Sequence, residues 1–303
     1  MTKQQTFTVH QFNEMFPDDD ACLEVLKGMI YGDEIPCRTC KEVRPHHRLK
    51  ARKAYSCDYC GTHIYPLAGT IFEKSTTPLK SWFYAMFLIS STRCGISAKQ
   101  LERELGVTYK TAWRIFNQIR KLMNEDVGML VGPVEVDETF VGGRRRDGKR
   151  GRPGRDSHKT PVVGVVERGG KVAALVTRDA SRRTIMPIIQ SRVMPRSLIY
   201  TDEWRPYDDL GKRGYEHRRI AHAEKVYVVG DVHTNTIEGF WSLLKNGIRG
   251  VYHSVSSKHL QSYINEYAFR YNHRKDEAPM YALVSAQARK VRHGRYGIYA
   301  PIG

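Results

Sequence analysis

The feature that most constrains this chain is a set of four cysteines in two equal pairs. Cys37-Arg-Thr-Cys40 and Cys57-Asp-Tyr-Cys60 are separated by 16 residues. Two residues between thiolates let a tight turn bring both sulfurs to one metal ion, and two such knuckles complete a tetrahedral site. The spacing therefore predicts a structural Zn²⁺ ribbon within a Cys-rich module over residues 1–75. Cys37, Cys40, Cys57 and Cys60 are its ligands, and no position is left open for chemistry. A redox CxxC would need one pair only. Cys22 and Cys94 read as core cysteines. Asp18 to Asp20 precede an apolar-periodic stretch and suit the start of a helix.

Charge narrows the partners. The 303 residues hold 49 Lys and Arg against 32 Asp and Glu, a formal net charge of +17. Such a surplus attracts polyanions, and nucleic acid is the expected one. No apolar run approaches the roughly 20 residues that span a bilayer. The longest, Trp82 to Ile89, is flanked by Lys80 and Arg93. The opening MTKQQTFTVHQF has no apolar signal core. A cytoplasmic, nucleoid-associated chain without a membrane partner is expected.

Residues 78–128 read as helical. Leu79 to Ser90 is an apolar helix, Ala98 to Leu105 a short one broken at Gly106, and Thr108 caps a third that runs to about Asn124. Ile115, Ile119 and Leu122 mark its buried face. This is a helix-turn-helix pattern, and Lys110 and Arg114 near the start of the third helix are candidate DNA contacts. A helical packing unit with a solvated basic face is the other reading.

Residues 131–250 carry the candidate chemistry. GPVEVDETFVGG, residues 132–143, alternates as a strand with Asp137 at its centre. Strands are predicted at Thr160 to Glu167 and Val172 to Thr177, with Gly169-Gly170 as the turn. A helix over about Arg182 to Gln190 follows, then a strand from Ser197 that ends on Asp202. Tyr215 to Ala221 reads as a fifth strand, and a helix opens at Thr234. This order approaches an RNase H-like fold. The whole is an α+β multidomain chain: zinc ribbon, helix-turn-helix-like region, RNase H-like α/β catalytic domain, and a helical basic tail over 251–303.

Asp137 and Asp202 become neighbours if their strands pair, and Glu238 on the last helix supplies a third acid. There are 64 residues between the aspartates and 35 between Asp202 and Glu238. Phosphoryl transfer by two metals needs acidic oxygens that converge on a pair of ions, and Mg²⁺ favours carboxylates. Strand-end aspartates and a helix-surface glutamate are the plainer reading of each residue taken singly.

These stretches together resemble the IS1595-type, or ISXO2-like, insertion-sequence transposases, relatives of the eukaryotic Merlin elements. The resemblance covers nearly the whole chain. FNEMFPDDDACLEVL, the two knuckles and LAGTIF look like that family's ribbon module. VEVDETFVGG, KTPVVGVVERGG, IYTDEW and HTNTIEGFWSLLKNGIRGVYHSVS look like its catalytic domain, and YINEYAFRYNHR like its tail. The resemblance implies a DDE-type transposase. Such an enzyme would bind the terminal inverted repeats of its element in double-stranded DNA, and cleave and transfer strands with Mg²⁺ or Mn²⁺. It would work as a homodimer or higher in a synaptic complex. Asp137 and Asp202 fall on the family's aspartates. Its third position is either Glu or Asn, often with a Lys further along. Here Asn235 and Glu238 share one helix face, and Lys245 lies two turns beyond Glu238. Charge favours Glu238.

Two weaker features remain. Residues 142–159 hold eight Lys or Arg against two acids. Arg144, Arg145, Arg146, Arg150 and Arg152 are candidate phosphate contacts there, and Arg150-Gly-Arg-Pro153 resembles an AT-hook core or is a chance tetrapeptide in a basic loop. Trp204, Tyr207 and Trp241 are candidates to stack on an unpaired base, or are core. A domesticated DNA-binding regulator without cleavage activity is the alternative from another class.

Overall fold

The computed structural model describes residues 4–92, 94–142, 159–220, 234–293 and 298–301. The chain divides into two compact units, one formed by residues 1–123 with 275–303 and one by residues 124–274.

The first unit opens with α1 (Val9–Met15), started by a capping box between Thr8 and Gln11. In α2 (Asp19–Tyr31) the Asp18 carboxylate accepts from Ala21 N–H, with Asp19 and Asp20 in the first turn. The ribbon is a small antiparallel sheet of β1 (His46–Leu49), β2 (Ala54–Cys57) and β3 (His63–Ile64). Then come α3 (Leu79–Ser91), α4 (Ala98–Leu105) and α5 (Tyr109–Leu122). The turn between α4 and α5 rests on Gly106 in the left-handed region and on the Thr108 hydroxyl, which accepts from Thr111 N–H. Ala112, Ile115, Phe116, Ile119 and Leu122 are buried, while Tyr109, Lys110, Trp113 and Arg114 are exposed on the other face. Cys22 is buried as expected. Cys94 is exposed in the turn after α3, because the short α3–α4 connection leaves it outside the core.

The second unit is built on a five-stranded sheet of β4 (Val134–Val141), β5 (Thr160–Glu167), β6 (Val172–Val176), β7 (Leu198–Asp202) and β8 (Glu216–Ile220). Its order is β6-β5-β4-β7-β8. The first three strands are an antiparallel meander; β7 and β8 run parallel to β4. Helix α6 (Arg182–Arg192) makes the crossover between β6 and β7. This is the RNase H-like arrangement. Strand alternation divides its core. Val134, Val136, Val163 and Val165 pack with Ile185, Met186 and Ile189 of α6. Val141, Val162, Val166 and Val172 pack with α7 (Asn235–Gly247) and α8 (Ser257–Asn272) on the opposite face.

The chain beyond residue 250, expected as one helical tail, serves both units. Helix α8 belongs to the sheet: Gln261 accepts from Val176 N–H at 2.7 Å and donates to the Ala174 carbonyl at 3.0 Å. The chain then returns to the first unit through α9 (Met280–Ala286) and the hairpin β9 (Lys290–His293) and β10 (Ile298–Pro301). Tyr281 stacks on Phe7 with ring centroids 4.6 Å apart and meets Phe12, Phe16 and Phe87. An aromatic cluster formed by residues far apart in sequence therefore closes that unit. No helix among the described residues is long and apolar enough to cross a membrane.

Gly164 of β5 lies opposite Asp137 in the register. A Cβ there would sit 2.5 Å from Trp241 Cζ2. Gly164→Ala should therefore destabilise the second unit by about 1–3 kcal/mol through overpacking. Gly239→Ala on α7, where a Cβ meets nothing within 4 Å, should stabilise it by up to about 1 kcal/mol. Denaturant unfolding followed by tryptophan fluorescence separates the two. An equally tolerated Gly164→Ala would mean that the indole does not rest on the strand.

Candidate functional site

The parallel pairing of β4 with β7 sets the site. Val134 lies beside Ile199 and Glu135 beside Tyr200. Two residues further along the same register come Asp137 and Asp202, on the pleat that faces α7. Ligand oxygens of Asp137, Glu138 and Asp202 all lie within 4.8 Å of one another, close enough to share a divalent cation. Glu138 was not singled out in the sequence. It lies on the other pleat, where one oxygen accepts from the buried Tyr207 hydroxyl at 2.8 Å. Its sequence signal was a further acid in a strand already carrying Asp137.

Asp137 accepts from the Trp241 indole N–H at 3.0 Å, and Asp202 accepts from Trp204 N–H at 3.0 Å. Trp241 and Tyr207 are core residues, and Trp204 is partly buried against the α6 side of the core. Burial first, and then the charge of Asp202, push the Asp137 carboxyl up to about 6. Glu238, on the first turn of α7, is a weaker contributor to the same effect. Glu238 is exposed, accepts from the Thr234 hydroxyl at 3.0 Å, and stands outside the compact trio. Asn235 is exposed at the first position of α7; Thr234 occupies the cap position but makes no side-chain cap bond. Lys245 is half-buried: burial lowers its pKa, and Asp137 acts in the opposite sense.

The missing cap comes from the sheet. Glu135 has no exposed surface. It accepts from Ile237 N–H and from the Thr236 hydroxyl, each at 2.9 Å, and from Arg168 Nε at 2.7 Å. The Arg168 guanidinium lies 4.0 Å above the Tyr200 ring. A buried carboxylate on the α7 N-terminus satisfies orphan N–H groups and complements the helix dipole. It fixes the helix that carries Asn235, Glu238, Trp241 and Lys245. Strand alternation alone shows that Glu135 shares a face with Asp137, but not that it caps a helix 100 residues away.

In the first unit the four cysteines converge. The Cys37 and Cys60 sulfurs are 3.5 Å apart and those of Cys40 and Cys57 4.0 Å. Zn–S bonds of about 2.3 Å place tetrahedral sulfurs roughly 3.8 Å apart, so the set fits a structural zinc ion. Hydrogen bonding with Thr62 pulls the Cys60 thiol down to about 6, while the neighbouring sulfurs, Cys60 foremost, push Cys40 up to about 12. Binding of a cation favours the deprotonated form of all four. Lys110 and Arg114 lie on the exposed face of α5. Arg144, Arg145, Arg146, Arg150 and Arg152 lie outside the described residues.

The sheet and its acids, joined in one chain to a four-cysteine ribbon, define an RNase H-like protein with a metal-competent carboxylate centre and a zinc ribbon. Residues 129–272 match the ISXO2-like transposase domain and residues 17–63 the transposase zinc-ribbon domain. An uncharacterized protein in transposable element ISH50 of Halobacterium salinarum is 28% identical over 84% of this chain and 91% of its own length. An uncharacterized transposase-like protein of Haemophilus influenzae is 30% identical over 34% of this chain and 81% of its own length. Among solved structures, a chain of the simian T-cell lymphotropic virus intasome in complex with PP2A regulatory subunit B56 gamma is 13% identical. It matches over 68% of this chain and 74% of its own, with a TM-score of 0.32. A pre-cleavage Mos1 transpososome chain is 14% identical over 65% and 75%, with a TM-score of 0.26. At such scores the strand order, and not the superposition, defines the fold. The chain belongs to the IS1595, ISXO2-like, family of transposases.

Cys57→Ser should remove zinc from the purified protein and expose residues 37–64 to proteolysis; full metal content in that variant would overturn the ligand set. For Asp137, a folded-state pKa above the unfolded value means that this carboxyl's contribution to stability is fully present below about pH 4 and is lost as pH rises through about 6. The loss is about 2–3 kcal/mol. Asp137→Asn should abolish that loss, so the metal-free variant melts higher than wild type at pH 7.5. Equal melting temperatures across pH 4–8 would contradict a buried, strained charge.

Proposed function

We propose that this protein is a DDE-type transposase that binds the terminal inverted repeats of its element and carries out metal-dependent strand cleavage and strand transfer. The observation that carries the reading is the convergence of Asp137, Glu138 and Asp202 on an RNase H-like sheet in a chain of this family. Mg²⁺ or Mn²⁺, when bound, would activate the attacking oxygen and stabilise the leaving one. Asp137 and Asp202 are the ligands that the adjacent strands hold in register. Trp241 occupies one Asp137 oxygen and so orients the other. Glu238, an exposed carboxylate residue on the first turn of α7, is the proposed third group, and Lys245 steadies the DNA end. No Tyr or Ser nucleophile is required.

DNA reading falls to the other modules. The exposed N-terminal face of α5, with Lys110 and Arg114, is suited to a major groove. Arg144, Arg145, Arg146, Arg150 and Arg152 are proposed from sequence as phosphate contacts. Joining two element ends calls for at least a dimer. The proposed functional regions are the ribbon at 1–75, the helix-turn-helix at 78–128 and the catalytic domain from residue 131, to which α8 of the expected 251–303 tail contributes while the chain from residue 275 joins the first unit.

A second reading of the third ligand is favoured by geometry, because Glu138 rather than Glu238 joins the compact trio. Cleavage of duplexes carrying the inverted repeats that flank the coding region decides it. Asp137→Asn, Asp202→Asn and Glu238→Gln should each abolish cutting while retaining binding, and Asn235→Ala should keep measurable cutting in Mn²⁺. An active Glu238→Gln beside a dead Glu138→Gln would transfer the role to Glu138, and beside a dead Asn235→Ala to the amide. Full cleavage by Asp137→Asn would overturn the catalytic reading itself.

A further inference from the structure

After α7 the backbone widens into a π turn over Ile248–Tyr252, and the chain bends at His253 with φ 60°. Both are uncommon. π turns concentrate at functional sites, and a non-glycine residue at positive φ persists only where its surroundings hold it. Together with the end of β4 they enclose a cavity of about 620 Å³. Lys159, Lys245, Arg249 and His253 line it, Phe140 and Ile248 contribute apolar wall, and none of the lining side chains among the described residues is acidic.

The cavity adjoins the acidic centre. Lys245 is one helical turn beyond Trp241, whose indole bonds Asp137, and the Asp137 charge reaches Lys245. Arg249 is one turn further on the same helical path and also faces the cavity. Both Arg249 and Lys159 act electrostatically on Lys245. Lys245 and Arg249 on one hollow repel one another, and an anion entering it relieves that repulsion. The guanidinium fork matches phosphate oxygens, and the apolar wall suits an attached sugar.

We propose that this cavity is a phosphodiester subsite, in which Arg249 and His253, with Lys245 and Lys159, grip the DNA backbone immediately beside the phosphate presented to Asp137 and Asp202. The inference rests on the catalytic reading above and adds Arg249, His253 and Lys159 to the DNA path. It also gives the π turn and the bend at His253 a place in the site, since Arg249 and His253 both line the one hollow.

The test is binding, without cleavage, of the full-length protein to the inverted-repeat duplex in Ca²⁺. A series of duplexes carries one uncharged methylphosphonate at each position around the cut. Arg249→Gln should weaken binding about tenfold at 0.1 M salt and lower the salt slope by about 0.9. At one linkage next to the cut, neutralising the phosphate should weaken wild type equally. It should then add nothing to Arg249→Gln, since the two changes remove one contact. His253→Asn should show the same coupling at that linkage or its neighbour. Ser254→Glu, which adds an anion at an exposed lining position, should reproduce the loss and guards against a misfolded Arg249→Gln. Additive effects at every linkage, or an unchanged slope in both Arg249→Gln and Ser254→Glu, would overturn the subsite. Asp137→Asn cleavage decides the catalytic reading separately, so a dead Asp137→Asn with additive cycles would condemn the subsite alone.

Discussion

Glu135 ties the second unit together. Its carboxylate has no access to solvent, yet it answers the helix N-terminus of α7 and the guanidinium of Arg168 at once. A buried acid left without partners is costly, and one fully hydrogen-bonded is not. The contact therefore sets where α7 begins relative to β4. Everything α7 contributes follows from that placement: the indole on Asp137, the first-turn Glu238, and the lysine two turns beyond. Gly164 completes the constraint from below, because only a residue without a side chain lets the Trp241 ring lie against β5 beside Asp137.

Around this frame, charge is arranged in opposition. Two strand aspartates and Glu138 are pressed together at the sheet, where burial and mutual repulsion already hold the Asp137 carboxyl protonated into the mildly acidic range. Directly beyond them the lining turns cationic. Such an arrangement leaves a place for cations over the acids and for anions over the bases, which are the two components of phosphoryl transfer on DNA.

The first unit solves a different problem. Its ribbon strands span four, four and two residues, too little sheet to bury a core alone. Four thiolates in tetrahedral range and a layer of aromatic rings supply what the strands lack. One of those rings, Tyr281, arrives from the far end of the chain, so the unit closes only after the second one has been traversed.

Local pattern determined much of this protein. The CxxC spacing picked out four cysteines that the structure brings together, the period-two alternation of VEVDETFV marked the central strand, and Gly106 with Thr108 marked the turn between α4 and α5. These are effects of neighbours within a few residues, where covalent geometry and hydrogen-bonding capacity decide. The pairing of Asp137 with Asp202 was legible as a conditional, since it needed only that β4 and β7 lie side by side. Other features were not written locally. Glu138 joins the acids from the opposite pleat of β4, and Glu238 stays exposed on the first turn of α7, whose N-terminus Glu135 holds. The return of residues 275–303 to the first unit likewise has no local signature. Helix caps, register and aromatic packing between residues 100 or more apart depend on which surfaces meet, and only the tertiary structure brings those surfaces together.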